Sequence, residues 1–230
     1  MQTAASTYLS EAIAIWLRDL RGEFRTRFAL NAIFMFAITT LITVSFAIGA
    51  YSIAEAERSF LYSVLLWIIL LFSALSGIAH SFVKEAEAGT IDTLKLSARP
   101  NAIFLGKLFF NLTLLIFIEL LIVPLFIILM KFPIQCPGYF SLMMLTGGLS
   151  LGSGTTLVAA MITRASVKGA LFSVLSFPLL LPLVIISIKG CERASQGVDL
   201  AGWSEVKIAL AYLILMTVAS FFLFPIIWEE

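Results

Sequence analysis

Few side chains in this sequence are able to do chemistry, and they stand far apart. His80 is the single histidine, set among Ser76, Gly77 and Ser81. A lone imidazole there either ligates haem iron or a metal, or bonds a carbonyl or water. Metal sites draw on clusters of ligands, and no such cluster surrounds it; a Cys-x-x-Cys-His haem-attachment run is also absent. Glu119 is a single acid in a long apolar stretch, and an acid in such a place serves a pathway or gate, or is held by Asn111 or a neighbouring helix. Cys136 and Cys191 are the only cysteines. The run GSGTT, residues 152–156, has the glycines and hydroxyls of a phosphate-binding loop but not the lysine which that loop requires. No nucleophile–base pair and no paired carboxylates can be assembled. No nucleotide-binding loop is present, so any ATP used would be hydrolysed by a second polypeptide.

The elements that must position these residues are membrane spans. The 230 residues are 60% hydrophobic and 13% charged, with a mean hydropathy of +1.04, far from the balance of a soluble domain. The net charge of +1 offers nothing to a nucleic acid. Crossing about 30 Å of hydrocarbon takes roughly 20 apolar residues. Phe28 to Ala50, Phe60 to Val83, Leu108 to Met130, Tyr139 to Thr163, Gly169 to Ile188 and Ile208 to Trp228 meet that length, and among them only Leu108 to Met130 carries a charge, Glu119. Backbone groups in lipid must bond within their own segment, so these are helices, and the ten-residue alternation of a barrel is missing. The first span is too long for a signal-peptide core and reads as an uncleaved anchor.

Basic residues set the orientation. With the N-terminus inside, Arg18, Arg21, Arg25 and Arg27, then Lys84, Lys95, Arg99 and Lys107, then Arg164 and Lys168 are cytoplasmic, ten of the 15 Lys and Arg. Both termini then lie inside. Cys136 and Cys191 fall in outside loops, either as unrelated thiols or as a disulfide, which loops on one oxidising face permit.

Two segments outside the spans have their own pattern. Residues 1–27 form an amphipathic helix, with Ile13, Trp16, Leu17, Leu20, Phe24 and Phe28 at steps of three and four. Arg18, Asp19, Arg21, Glu23 and Arg25 lie mostly opposite. Such a helix lies in the cytoplasmic membrane interface, its basic side towards anionic headgroups, or meets a soluble partner. Residues 28–230 form the transmembrane domain. Within it the loop KEAEAGTIDTLKLSARP, residues 84–100, holds six charges and favours helix. Gly89-Thr90 interrupts it and Pro100 ends it. Ile91, Leu94 and Leu96 supply a small apolar edge among Glu85, Glu87, Asp92 and Lys95. The loop is a solvated connector or a helix that docks in a shallow groove on another protein.

In the fourth span, Gly148 with Gly152 and Ser150 with Gly154 are four apart and allow close helix packing. In the fifth, Pro178 and Pro182 are one turn apart, which predicts a kinked or broken helix able to move or to line a vestibule.

Together these residues resemble the permease subunits of ABC-2 type transporters, with a type V exporter-like architecture: an interfacial N-terminal helix, six spans and a coupling helix in the first inside loop. Within that class the chain is similar to the haem exporter protein B family (CcmB) of cytochrome c maturation. The likeness rests on EAGTIDTLKLSARP, where Glu87, Gly89, Ile91, Asp92, Leu94 and Leu96 follow the family's pattern, on FLGK at residues 104–107, on Pro124, and on the twin-proline SVLSFPLLLPLVI at residues 173–185. It covers nearly the whole chain.

The resemblance implies a homodimer in the bacterial inner membrane, or in the mitochondrial one for an organelle-encoded chain. Its implied partners are a cytoplasmic CcmA-like ATPase docked on residues 84–100, CcmC- and CcmD-like haem-handling subunits, and a CcmE-like haem chaperone. Haem would be cargo and no cofactor would be bound by this chain; ATP would drive haem export or release of the loaded chaperone. An ABC-2 exporter of a lipid, polysaccharide or drug is the alternative, and an assembly scaffold without a transport path is a third.

Overall fold

The computed structural model describes residues 2–49, 55–87, 89, 94, 96–162, 168–197 and 203–229. Seven long helices and no strand occur among them: α1 Gln2–Thr26, α2 Phe28–Gly49, α3 Glu55–Glu87, α4 Pro100–Met130, α5 Pro137–Met161, α6 Lys168–Gln196 and α7 Ser204–Glu229. Six of these, α2 to α7, are long and apolar enough to cross a membrane. The protein is an all-α membrane protein of the kind its apolar pattern predicts.

The chain turns where local chemistry demands it. Arg27 takes a left-handed φ of 54° between α1 and α2, and the Leu30 amide donates to Glu23 Oε1 at 2.9 Å, so an acid of α1 caps the start of α2. Pro100 occupies the first turn of α4 after an extended Arg99, a position where its missing N–H costs nothing. Pro100 thus starts a helix, and α4 begins well before the expected Leu108. At its far end Lys131 is left-handed, with its N–H bonded to Ile127 O.

α5 is the central helix. It packs against α3, α4, α6 and α7, and 83% of its span is buried. Its small residues allow this. A Cβ on Gly152 would meet Leu112 Cδ2 of α4 at 2.6 Å, and one on Gly154 would meet Leu180 Cδ2 of α6 at 2.7 Å. The Trp67 ring of α3 lies against Gly147. Hydroxyls then bond across the gaps: Ser150 Oγ donates to Ala209 O at 2.8 Å, and Ser153 Oγ lies 3.2 Å from Thr217 Oγ1. Close approach is what permits such bonds between membrane helices.

α6 is one continuous helix with Pro178 and Pro182 inside it. It is not broken there, and both prolines are exposed on its outer side. The Tyr212 hydroxyl of α7 donates to Leu179 O at 2.8 Å, which holds the proline-bearing stretch against α7. The helix also runs further than expected, so Cys191 is a buried helical residue and not a loop residue.

The end of the bundle that holds Lys131 and Gln135 is closed by aromatic rings. Tyr62, Phe126, Phe132 and Phe140 lie with successive centroids 5.8–6.4 Å apart. Beside them Arg193 pairs with Glu205 at 2.8 Å, and Tyr139 donates to the same carboxylate at 2.9 Å.

Candidate functional site

At the opposite end, α1, the segment before Pro100, the first turns of α4 and the last turn of α7 form one unit. Its core is Ile15, Leu94, Ile103, Phe104, Leu108, Phe224 and Trp228. α1 lies on α4 because Gly106 has no side chain: a Cβ there would meet Ala12 O at 2.8 Å and Ile15 Cβ at 2.7 Å. One residue on, Lys107 is 2% exposed and its Nζ lies 2.8 Å from Asp19 Oδ2. An ammonium that deep is held only by a charge partner. Trp16 Nε1 donates to Thr113 Oγ1 at 3.1 Å, the Arg99 amide donates to Glu11 Oε2 at 3.3 Å, and the Arg99 guanidinium sits 4.3 Å from the centre of the Tyr8 ring.

This arrangement changes the expected faces of α1. Asp19 and Glu23 do not point at headgroups; Asp19 reaches into the protein and Glu23 is buried at the corner with α2. The face that packs is Ala12, Ile15 and Asp19. The expected apolar stripe leaves Ile13, Leu17 and Phe24 exposed on the outside.

The segment expected to dock outside the chain divides in two. α3 runs on through Glu87, and Gly89 then turns the chain with φ 65°, a conformation that costs glycine little. Leu94 is 2% exposed and packed in the unit's own core, whereas Leu96 is 90% exposed. Ile91 and Asp92 lie outside the described residues. The apolar edge is thus not a single outward stripe: Leu94 faces in and Leu96 faces out.

His80 is on α3, and its side chain lies outside the described residues. Cys136, Cys191 and Glu119 do not join this unit. Cys136 and Cys191 are both free thiols. Their neighbourhoods do meet, since the Cys136 amide donates to Ala194 O at 3.0 Å, one turn from Cys191. Cys191 Sγ instead accepts from Trp67 Nε1 at 3.1 Å. Glu119 is 8% exposed and lies against Gly148 of α5. Asn111 does not hold it; Asn111 Nδ2 donates to Thr156 Oγ1 at 3.0 Å, two turns away along α4. Pro178 and Pro182 do not line the groove that contains Glu119. Among the described residues no three His, Cys, Asp or Glu side chains gather as metal ligands.

Sequence reasoning missed Glu11, Asp19, Gly106 and Lys107 as one constellation. The only signal was FLGK, a glycine beside a lysine at the start of a span.

Six apolar helices packed about a small-residue centre, with a structured unit at one end, make a multi-pass membrane protein. The chain belongs to the CcmB protein family, whose pattern matches residues 10–226. Members of that family are permease components of ABC-type systems for haem handling in cytochrome c maturation. No curated protein matches the chain.

Proposed function

We propose that this chain couples the motion of a cytoplasmic ATPase to its own transmembrane helices, through the segment 84–100, in the delivery of haem for c-type cytochromes. The observation that carries this is the split between Leu94 and Leu96. Leu96 is offered to a partner, while two residues away Leu94 is locked to α1, α4 and α7. A groove on the ATPase that grips Leu96, with Glu87, Asp92 and Lys95 at its rim, moves the whole unit. Apolar anchors carry most of an interface's energy and rim charges tune its specificity.

In this reading the chain is non-catalytic, spans the bacterial inner membrane with both termini inside, and works as a homodimer with two ATPase copies. Residues 1–27 lie at the cytoplasmic surface and residues 28–230 form the transmembrane domain. CcmC- and CcmD-like subunits handle haem, and a CcmE-like chaperone receives it. ATP hydrolysis exports haem or releases the loaded chaperone. Glu119, Pro178 and Pro182 remain the proposed pathway or gate positions.

The test is co-purification of the ATPase with Leu96→Asp. Loss of the ATPase, with normal insertion and a monodisperse chain, supports the reading. Wild-type ATPase yield together with full cytochrome c assembly rejects it.

A further inference from the structure

The loop after α4 builds a basic pocket against α3 and α6. Lys131 ends α4 in the left-handed region, φ 48°, and the chain then meets α6, where the Gln135 and Cys136 amides donate to Ala194 O at 3.2 and 3.0 Å. The Gln135 side chain rests on Gly197, which closes α6 with a φ of 66°. Between these walls and the start of α3 lies a cavity of about 480 Å³, whose lining includes Arg58, Ser59, Lys131, Gln135, Ser195 and Gln196. Ser59 and Ser195 are buried, so the pocket is part of the fold and not a gap between surface side chains.

Donors dominate the lining. Arg58 and Lys131 are cations, the two glutamines carry amide N–H groups and the two serines carry hydroxyls. No Asp or Glu takes part in it. Of the acids on the neighbouring helices, Glu192 of α6 accepts from Gln196 Nε2 at 3.3 Å, Glu205 of α7 pairs with Arg193 at 2.8 Å, and Glu57 of α3 is exposed. Two positive charges with no carboxylate between them suit an oxyanion.

Depth says where that anion comes from. α4 has 31 residues, about 46 Å of helix, close to the roughly 40–45 Å of a bilayer with its headgroup layers. Lys131 follows the last residue of α4, and Arg58 is the second residue of the α3 span 57–77. The pocket therefore sits at headgroup level. Within a turn of it, on the membrane side, Phe60 and Ile128 are exposed and offer apolar surface to acyl chains. The volume is about three times the roughly 150 Å³ that holds one benzene, room for a phosphate together with its glycerol. A zwitterionic headgroup would bring an ammonium that meets no carboxylate in the lining; a headgroup of net negative charge does not.

We propose that the pocket between Arg58 and Lys131 binds a phosphate-bearing anion, the headgroup of an anionic phospholipid from the surrounding leaflet. Bound there, the lipid ties α3, α4 and α6 together at this end of the bundle. The inference rests on the pocket alone; neither the use of residues 84–100 nor the orientation of the chain enters it.

The experiment uses the full chain, purified and delipidated in a neutral detergent. It is titrated separately with phosphatidylglycerol, phosphatidylcholine and inorganic phosphate; bound molecules are counted by native mass spectrometry and the Tm is followed. The expected result is one phosphatidylglycerol per chain, bound about tenfold or more tightly than phosphatidylcholine, with a rise in Tm. Lys131→Gln weakens that binding about fivefold, and Arg58→Gln with Lys131→Gln about thirtyfold, the factors expected for one and two cations at an anionic lipid. Lys189→Gln with Lys207→Gln removes two exposed cations at the same end but outside the pocket, and leaves the affinity within about twofold. Lys131 is exposed, so its single variant keeps the fold and carries the test even where the double variant fails to purify. Inorganic phosphate that binds and stabilises as well as the lipid would assign the pocket to a soluble anion. That result, equal affinity for the two lipids, an unchanged affinity in Lys131→Gln, or an equal loss in the control variant would each overturn the proposal.

Discussion

Lys107 Nζ and Asp19 Oδ2 lie 2.8 Å apart, and this contact joins the N-terminal helix to a membrane span. The lysine is almost wholly enclosed, so the pair cannot be judged as a surface salt bridge. Removing the acid takes a counter-charge from a buried ammonium, a kind of change that typically costs about 3–5 kcal/mol. Asp19→Ala should therefore lower the thermal stability of the detergent-purified chain sharply. The double change Asp19→Leu with Lys107→Met, apolar on both sides, should recover most of the loss. Fluorescence-detected size exclusion after heating reads both; equal stability of Asp19→Ala and wild type would show that the pair contributes nothing.

Leu94 and Leu96 should respond in opposite ways to the same substitution. A charge at the enclosed Leu94 has no water to solvate it, and a cost above about 4 kcal/mol is expected. Leu94→Asp should yield little folded protein. Leu96→Asp, on an exposed position, should change stability by no more than about 0.5 kcal/mol. Expression level and melting temperature of the two variants, measured side by side, decide the matter.

Gly106 should tolerate no larger residue without loss of the α1–α4 contact. A methyl group there collides with a backbone oxygen, Ala12 O, which has no rotamer by which to yield. Gly106→Ala is expected to cost about 1–3 kcal/mol and to make α1 more open to limited proteolysis near Arg18 and Arg21. An unchanged cleavage pattern would count against the close packing.

The two thiols should differ in reactivity. Cys136 is half-buried and Cys191 is enclosed. A membrane-impermeant maleimide should label Cys136 alone in intact right-side-out vesicles, and Cys191 only after denaturation. Pre-treatment with a reductant should leave the labelling unchanged, because both thiols are free. Labelling of Cys136 only from inverted vesicles would reverse the proposed orientation.

The spans were legible because lipid imposes one rule on every residue of a segment. Any run such as Phe28 to Ala50 must be apolar, so a window of residues suffices to find it. Small-residue spacing in α5 was legible for the same reason: Gly148 and Gly152 must share a face four residues apart. Contacts across the chain obey no such local rule. Nothing near Lys107 in sequence names Asp19 as its partner, and the lysine was read as a loop charge because a charge usually ends a span. Leu94 and Leu96 differ by two positions and look alike in sequence. Only the arrival of Ile15 and Phe104 against one of them separates their roles. α6 ran past its expected end at Ile188, where the uncharged run stops; the helix continues through Arg193, whose charge is answered by Glu205 of α7.

α3 runs for 33 residues without a break, a rod of about 50 Å by its rise per residue, well beyond the thickness of the hydrocarbon it crosses. One tip ends at Glu87, beside the Gly89 turn; the other carries Tyr62 into the aromatic closure with Phe126 and Phe132. A rigid rod of that length is a lever. Tilting it by about 5° carries one tip about 4 Å relative to the other, close to the width of one aromatic contact. Leverage of this kind needs no hinge within the membrane: a nudge at one surface is enough to part the rings at the other.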